Sequence, residues 1–180
     1  MNLLIIKTGA LGDVLRTSFI AQALKGKYGE KNPKIFWLVS KKAINLLEAN
    51  EFIDYLISEK NQKELKKIKF DLIINLEESE LKCKFTSSLN AKKITGAFWK
   101  NNKINYSKDS NYWFNMSIIS KLGKEKADRL KRQNKKTHRQ ITGEMLNINW
   151  KAYEPTLKLN KIQRKFSNNF KRKPGQNHCR

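Results

Sequence analysis

The residues with the most chemical potential stand together near the start of the chain: Lys7-Thr8-Gly9-Ala10-Leu11-Gly12-Asp13, followed by Arg16. Asp13 follows a turn that holds two glycines. A carboxylate in that place has two readings. It stabilises the N-terminus of a helix by roughly 0.3–1 kcal/mol, or it does chemistry. Gly9 and Gly12 allow a ligand to approach the backbone of Thr8–Asp13 closely. Lys7 and Arg16 add positive charge, and Arg16, one helical turn after Asp13, is placed to line the same crevice or to pair with it. Two phosphate-binding motifs are excluded. The turn lacks the middle glycine of G-x-G-x-x-G, and no acid ends the second strand, which runs into Ser40-Lys41-Lys42. G-x-x-x-x-G-K-[ST] is absent as well. No nucleophile or cofactor fingerprint stands elsewhere, and Cys83 and Cys179 form neither a metal cluster nor a disulfide framework.

Elements of a particular kind must position these residues. Leu3-Leu4-Ile5-Ile6 is an apolar run of strand length. Val14, Leu15, Phe19, Ile20, Ala23 and Leu24 recur at helical spacing up to Gly26–Gly29. Further strands are predicted at Ile35–Val39, Ile53–Ile57, Phe70–Leu76 and Lys93–Phe98. Helices are expected at Lys41–Ala49, Asn61–Lys67 and Glu80–Leu89. Five strands alternating with helices predict an α/β fold, a Rossmann-like parallel sheet with helices on both faces. The doubly wound order puts the first strand in the middle, beside the fourth. The crevice above their carboxyl ends is then lined by Thr8–Asp13, by Asn75–Glu78 and by the loop after Gly96, with Glu77 and Glu78 in a solvated loop. Beyond Phe98, Asn101–Asn111 reads as a loop. Tyr112–Met116 is an aromatic cluster leading into Ile118-Ile119, and helices follow at Lys124–Arg132 and Thr137–Leu146, with Thr137 as N-cap.

Composition sets the outer bounds. The chain of 180 residues carries 38 Lys and Arg against 16 Asp and Glu, a formal net charge of +22. Such a charge favours polyanions: nucleic acid, an anionic membrane surface or a phosphorylated glycan. A lysine-rich composition with solvated side chains is the competing explanation, since the lysines are scattered rather than striped. No apolar run approaches membrane-spanning length, and two isolated cysteines fit a reducing cytoplasm.

The opening LLIIKTGALGDVLRTSFIAQALKGKY resembles the start of glycosyltransferase family 9, the lipopolysaccharide heptosyltransferases. FWLVSKKAINLLEANEFIDYLI, FDLIINLEES, KKITGAF and WFNMSIISKLGKEKADRLKRQNKKTHRQITGEMLNINW follow in the same order, out to about Leu159. The G-A-L-G-D-V-L-R-T block and the block at Asn134–Gln140 are specific together. The resemblance implies the N-terminal, acceptor-binding half of a two-domain GT-B fold (residues 1–160), with the active site in the cleft between domains. It implies that Asp13 is the catalytic base of an inverting transfer. Thr8, Gly9, Gly12, Lys7, Arg16 and Lys136 would bind the acceptor, a lipopolysaccharide core or another anionic glycolipid. It implies a nucleotide-sugar donor such as ADP-heptose as substrate, no cofactor, and no metal, in keeping with the absence of any D-x-D motif. His138 stands where that family often has an aromatic residue and receives no catalytic role.

Residues 161–180 are expected to be a basic linker that ends in a disordered tail. The donor-binding domain is expected to be missing from a truncated or frameshifted product, inactive alone, located in the cytoplasm or at the inner face of the cytoplasmic membrane. The alternative is a basic nucleic-acid-binding α/β protein without enzymatic activity. No nucleic-acid motif supports specific binding of that kind.

Overall fold

The computed structural model describes residues 1–117, 122–157, 159 and 161–171. Its centre is strand β1 (Asn2–Ile6), in which Leu3, Leu4, Ile5 and Ile6 are all fully buried. Burial on both faces is what a continuous apolar run requires. β2 (Lys34–Val39) runs parallel to one edge of β1, with Phe36 opposite Leu4, and β3 (Tyr55–Ser58) lies outside β2. β4 (Lys69–Phe70) and β6 (Asn90–Ala91) form a separate two-residue parallel ladder. β5 (Leu72–Asn75) lies parallel to the other edge of β1, with Ile73 opposite Leu4, and β7 (Ile94–Lys100) lies outside it. β8 (Lys103–Tyr106) adds an antiparallel edge strand, and the full order is β3-β2-β1-β5-β7-β8. The first strand is thus central and beside the fourth of the predicted strands.

Side chains alternate across the sheet and divide the core in two. Leu3 and Ile5 pack with α1 (Leu11–Thr17), α2 (Phe19–Lys27), α3 (Ile44–Leu47) and α7 (His138–Leu146) through Val14, Phe19, Leu24, Leu47 and Met145. On the opposite face Leu4 and Ile6 pack with Phe36, Leu38, Leu65, Phe70, Ile73 and Leu89. Each fully buried side chain of this size contributes about 1.5–3 kcal/mol, so β1 serves both cores at once. α4 (Glu80–Ser87) covers β7, and Cys83 packs there with Ala97 and Phe114 of α5 (Asn111–Asn115). α6 (Lys124–Gln133) and α8 (Lys161–Lys171) complete the described helices.

Several sequence expectations need correction. Asn101–Asn111 is not a loop: Asn101 and Asn102 turn the chain at φ 52° and 55°, and Lys103–Tyr106 returns as β8. Asparagine tolerates the left-handed region, which is what a two-residue hairpin turn demands. The first long helix is two helices, divided at Ser18, whose hydroxyl accepts from Thr156 N–H at 2.9 Å. Lys41–Ala49 is a 3-10 turn followed by the single turn of α3, and the predicted helix at Asn61–Lys67 is a 3-10 segment from Glu59 to Lys67. Ile118-Ile119, Arg172 and the tail Lys173–Arg180 lie outside the described residues, so the expectation of a disordered end is left where it stood.

Candidate active site

The carboxyl ends of β1 and β5 open into a cleft of about 660 Å3. Lys7, Gly9, Ala10, Asp13 and Arg16 line it from the end of β1 and from α1, and Leu76 to Ser79 line it from the end of β5. The third wall is not the loop after Gly96, as the sequence predicts, because that chain continues as the β7–β8 hairpin. The wall comes instead from Trp113 and Phe114 of α5, from Met116 and Ser117, and from Lys131, Asn134, Lys136, His138 and Ile141.

Asp13 sits in the first turn of α1, its N–H bonded to Ala10 O at 2.9 Å across a turn whose Gly9–Ala10 peptide is cis. Its side chain is 38% exposed. One carboxylate oxygen, Oδ1, accepts from Arg16 Nη2; the other, Oδ2, lies 3.7 Å from Lys7 Nζ, beyond hydrogen-bond distance. Arg16 therefore both lines the crevice and pairs with Asp13. Lys7 is no solvated cation: its side chain is 8% exposed, and Nζ donates to Glu77 Oε1 at 3.1 Å.

Glu77 is the residue that organises this corner. The same Oε1 accepts from Thr8 N–H at 2.7 Å and Gly9 N–H at 3.2 Å. Asn75, fully buried at the end of β5, accepts from Glu77 N–H at 3.1 Å and donates to Glu77 O at 3.0 Å and Ala97 O at 2.7 Å. Gly96 permits this join. It has φ +110°, and a Cβ there would lie 1.9 Å from Asn75 O. Only glycine combines that dihedral with so close an approach. Glu78 is 8% exposed and accepts from Tyr106 Oη at 2.8 Å and from Ser117 Oγ. Neither glutamate belongs to a solvated loop, contrary to the sequence expectation. Burial, with the charges of Glu78 and Glu77, pushes the Cys83 thiol up to about 12, so it stays protonated.

On the far wall, Asn134 fixes the entry to α7. Its Oδ1 accepts from Lys136 N–H at 3.0 Å and Tyr112 Oη at 2.9 Å, and its Nδ2 donates to Lys136 O at 2.7 Å. Thr137 then caps the helix, its hydroxyl accepting from Gln140 N–H at 3.1 Å, as the sequence predicts. Lys136 Nζ donates to Glu144 at 2.5 Å and stands 4.8 Å from the Tyr112 ring centre. The His138 ring meets Trp113 edge-on at 4.4 Å, and its Nδ1 is buried without a hydrogen-bond partner. Burial, helped by the positive charges of Arg16 and Lys7 and opposed by Asp13, lowers the His138 imidazole to about 4. The ring is neutral at pH 7.

No protein-family model matches the sequence, and no curated protein matches it significantly. Solved structures do match. The glycosyl transferase family 9 structure from Veillonella parvula DSM 2008 aligns with 94% of this chain and 48% of its own, at TM-score 0.59 and 16% identity. The E. coli heptosyltransferase WaaC with ADP-2-deoxy-2-fluoro heptose aligns with 88% of this chain and 51% of its own, at TM-score 0.53 and 13% identity. The fold is that of one half of a GT-B glycosyltransferase. The chain spans about half the length of these structures, and at such identity the likeness concerns the fold.

Within this GT-B half, the structure gathers Lys7, Gly9, Asp13, Arg16 and Lys136 at one cleft. It leaves out two residues assigned to the acceptor from sequence. Thr8 is turned inward and offers its amide to Glu77, and Gly12 is exposed beside the cleft rather than in its lining. Sequence reasoning placed Glu77 and Glu78 at the crevice but as solvated side chains, and it missed Trp113 and His138 as parts of the lining. The polar Asn75 ending an otherwise apolar strand was the signal for the first pair, since a buried amide needs polar partners close by. Among the described residues no group of His, Cys, Asp and Glu is placed to hold a metal ion, and no described helix is long and apolar enough to cross a membrane.

Proposed function

We propose that this chain is the acceptor-binding half of an inverting glycosyltransferase, one that moves a heptose-like sugar from an ADP-linked donor to a lipopolysaccharide core or related glycan. The observation that carries the reading is Asp13: a half-exposed carboxylate lining an open cleft at the carboxyl edge of a GT-B half, with Oδ1 engaged by Arg16 and Oδ2 left for a ligand. In the reaction, Asp13 Oδ2 takes the proton of an acceptor hydroxyl. That oxygen attacks the anomeric carbon of the donor from the side opposite the nucleotide. The new C–O bond forms as the bond to the diphosphate breaks, and the nucleoside diphosphate leaves with the bonding pair. Arg16 and Lys7 hold the carboxylate in position, and Glu77 holds Lys7 and the turn. The diphosphate needs a second wall to stabilise its charge, so this half alone is proposed to bind acceptor without transferring sugar.

Contact with an anionic membrane surface belongs to the same proposal. α8 carries Lys161, Arg164 and Lys165, and exposes Ile162 and Phe166 at a helical spacing. A basic, amphipathic helix of this kind suits the bilayer surface where a lipid-linked acceptor resides.

The test supplies ADP-heptose and a lipopolysaccharide-core acceptor to the chain alone, and then to a two-domain protein that joins it to a donor-binding half. Turnover is expected only in the second. There Asp13→Asn should lower kcat by about 100-fold or more, the usual scale for general base catalysis, with acceptor affinity nearly unchanged. Equal turnover by Asp13→Asn ends the base assignment, and turnover by the chain alone ends the need for a second wall.

A further inference from the structure

We infer that the sugar ring entering this cleft beside Asp13 is electrically neutral and rich in hydroxyls, and that any phosphate or carboxylate of the acceptor stays outside. This rests on the reading of the cleft as an acceptor site. Composition argues the other way, since a chain of net charge +22 invites anions. The cleft itself does not share that excess.

Among the described residues, each Lys or Arg that lines it already has a carboxylate from this chain. Lys7 lies 3.1 Å from Glu77 and 3.7 Å from Asp13, and Arg16 is bonded to Asp13. Lys131 lies 3.3 Å from Asp128, and Lys136 lies 2.5 Å from Glu144. Two backbone donors of the β1–α1 turn are committed too. In a phosphate-binding turn the amides point at the ligand. Here the Thr8 and Gly9 amides point at Glu77 Oε1, at 2.7 and 3.2 Å. Glu77 fills the place an anionic ligand would take. Glu78 adds another carboxylate in the lining, 8% exposed and held by Tyr106 and Ser117.

An entering anion would have to displace one of these carboxylates or settle beside it. Two like charges about 4 Å apart repel, more strongly near a protein surface than in bulk water, and desolvation of the anion adds to that. A neutral polyol meets no such opposition. Its hydroxyls donate to carboxylate oxygens in charge-assisted hydrogen bonds. Its C–H face has an apolar wall in Trp113, Phe114 and Met116, and the Trp113 ring is braced edge-on by His138 at 4.4 Å.

The experiment titrates the 180-residue chain, labelled with 15N-tryptophan, with glucose and galactose and with their 6-phosphates, each at 50 and 300 mM salt. The Trp113 indole signal, assigned with Trp113→Phe, is the readout. The neutral sugars are expected to shift it equally at both salt concentrations, and the 6-phosphates to bind at least tenfold more weakly. If the 6-phosphates bind as tightly or more tightly, and lose affinity as salt rises, the inference is overturned while the cleft remains a sugar site. If neither kind moves the Trp113 signal, the sugar-site reading fails and the inference goes with it.

Discussion

Replacing Glu77 by alanine removes one oxygen that serves three donors. Lys7 Nζ, 3.1 Å away, keeps only Asp13 at 3.7 Å, and the Thr8 and Gly9 amides lose their acceptor. Breaking a well-buried ion pair costs about 3–5 kcal/mol. An orphaned polar group costs about 1–3 kcal/mol more. The cleft is open, so water recovers part of each loss, and the net cost for Glu77→Ala is about 2–4 kcal/mol. With a urea m value of about 2 kcal/mol/M, the denaturation midpoint falls by about 1–2 M. Glu77→Gln keeps an acceptor for the two amides and loses only the charge, so about 1–2 kcal/mol is expected. Amide exchange supplies the local check: Thr8 and Gly9 should lose protection in Glu77→Ala and retain most of it in Glu77→Gln. A midpoint unchanged within error, with both amides still protected in the alanine variant, would refute the view that Glu77 sets the turn.

Other outcomes follow from the same geometry. Gly96→Ala places a Cβ 1.9 Å from Asn75 O at φ +110°; a loss of about 3 kcal/mol or more is expected, read as a Tm lower by roughly 6–12 °C, and an unchanged Tm would sink the close-approach argument. Thr137→Ala removes the hydroxyl that accepts from Gln140 N–H and should cost about 1 kcal/mol, checked by the same denaturation. His138 has a folded value lowered from 6.5 to about 4, so between those values the unfolded chain binds more protons and stability rises with pH. The contribution is complete above pH 6.5 and is lost as pH falls toward 4; with the ring partly exposed it amounts to roughly 1–2 kcal/mol. His138→Phe should flatten that limb of the stability–pH curve, and an identical curve would contradict it. Asp54 adds a further acid limb at lower pH. Burial raises its carboxyl, but hydrogen bonds from Ile35 N–H and Lys25 and the charges of Lys25 and Lys34 outweigh this and leave it lowered, so Asp54→Asn should lower stability at neutral pH, and its difference from the unaltered chain should shrink as pH falls below the ordinary carboxylate value of 3.8.

The sequence shows the sheet because its cores are made of continuous apolar runs. Leu3–Ile6, Ile35–Val39 and Leu72–Ile74 are buried on both faces, and such runs are visible without any long-range information. The edge was harder to read. Lys103–Tyr106 alternates with polar residues and is held by its pairing with β7, so only the hairpin reveals it as a strand. The broken first helix has the same origin. Its apolar spacing continues across Ser18, and the side chain at the break is bonded to Thr156, a partner 138 residues away.

By itself the sequence determined the strand–turn–helix at Met1–Thr17, the carboxylate at its helix N-terminus, the cap at Thr137 and the central place of β1, because each depends on neighbours along the chain or on simple periodicity. Tertiary structure decided which charges remain available. Lys7 and Lys136 read as acceptor-binding cations in a strongly basic chain, and folding brings Glu77 and Glu144 against them. Glu77 lies 70 residues from Lys7, and Glu144 reaches Lys136 only through the turn at Asn134. Charge pairing over such distances has no local signature, since it is fixed by where strands end and how helices cross above them.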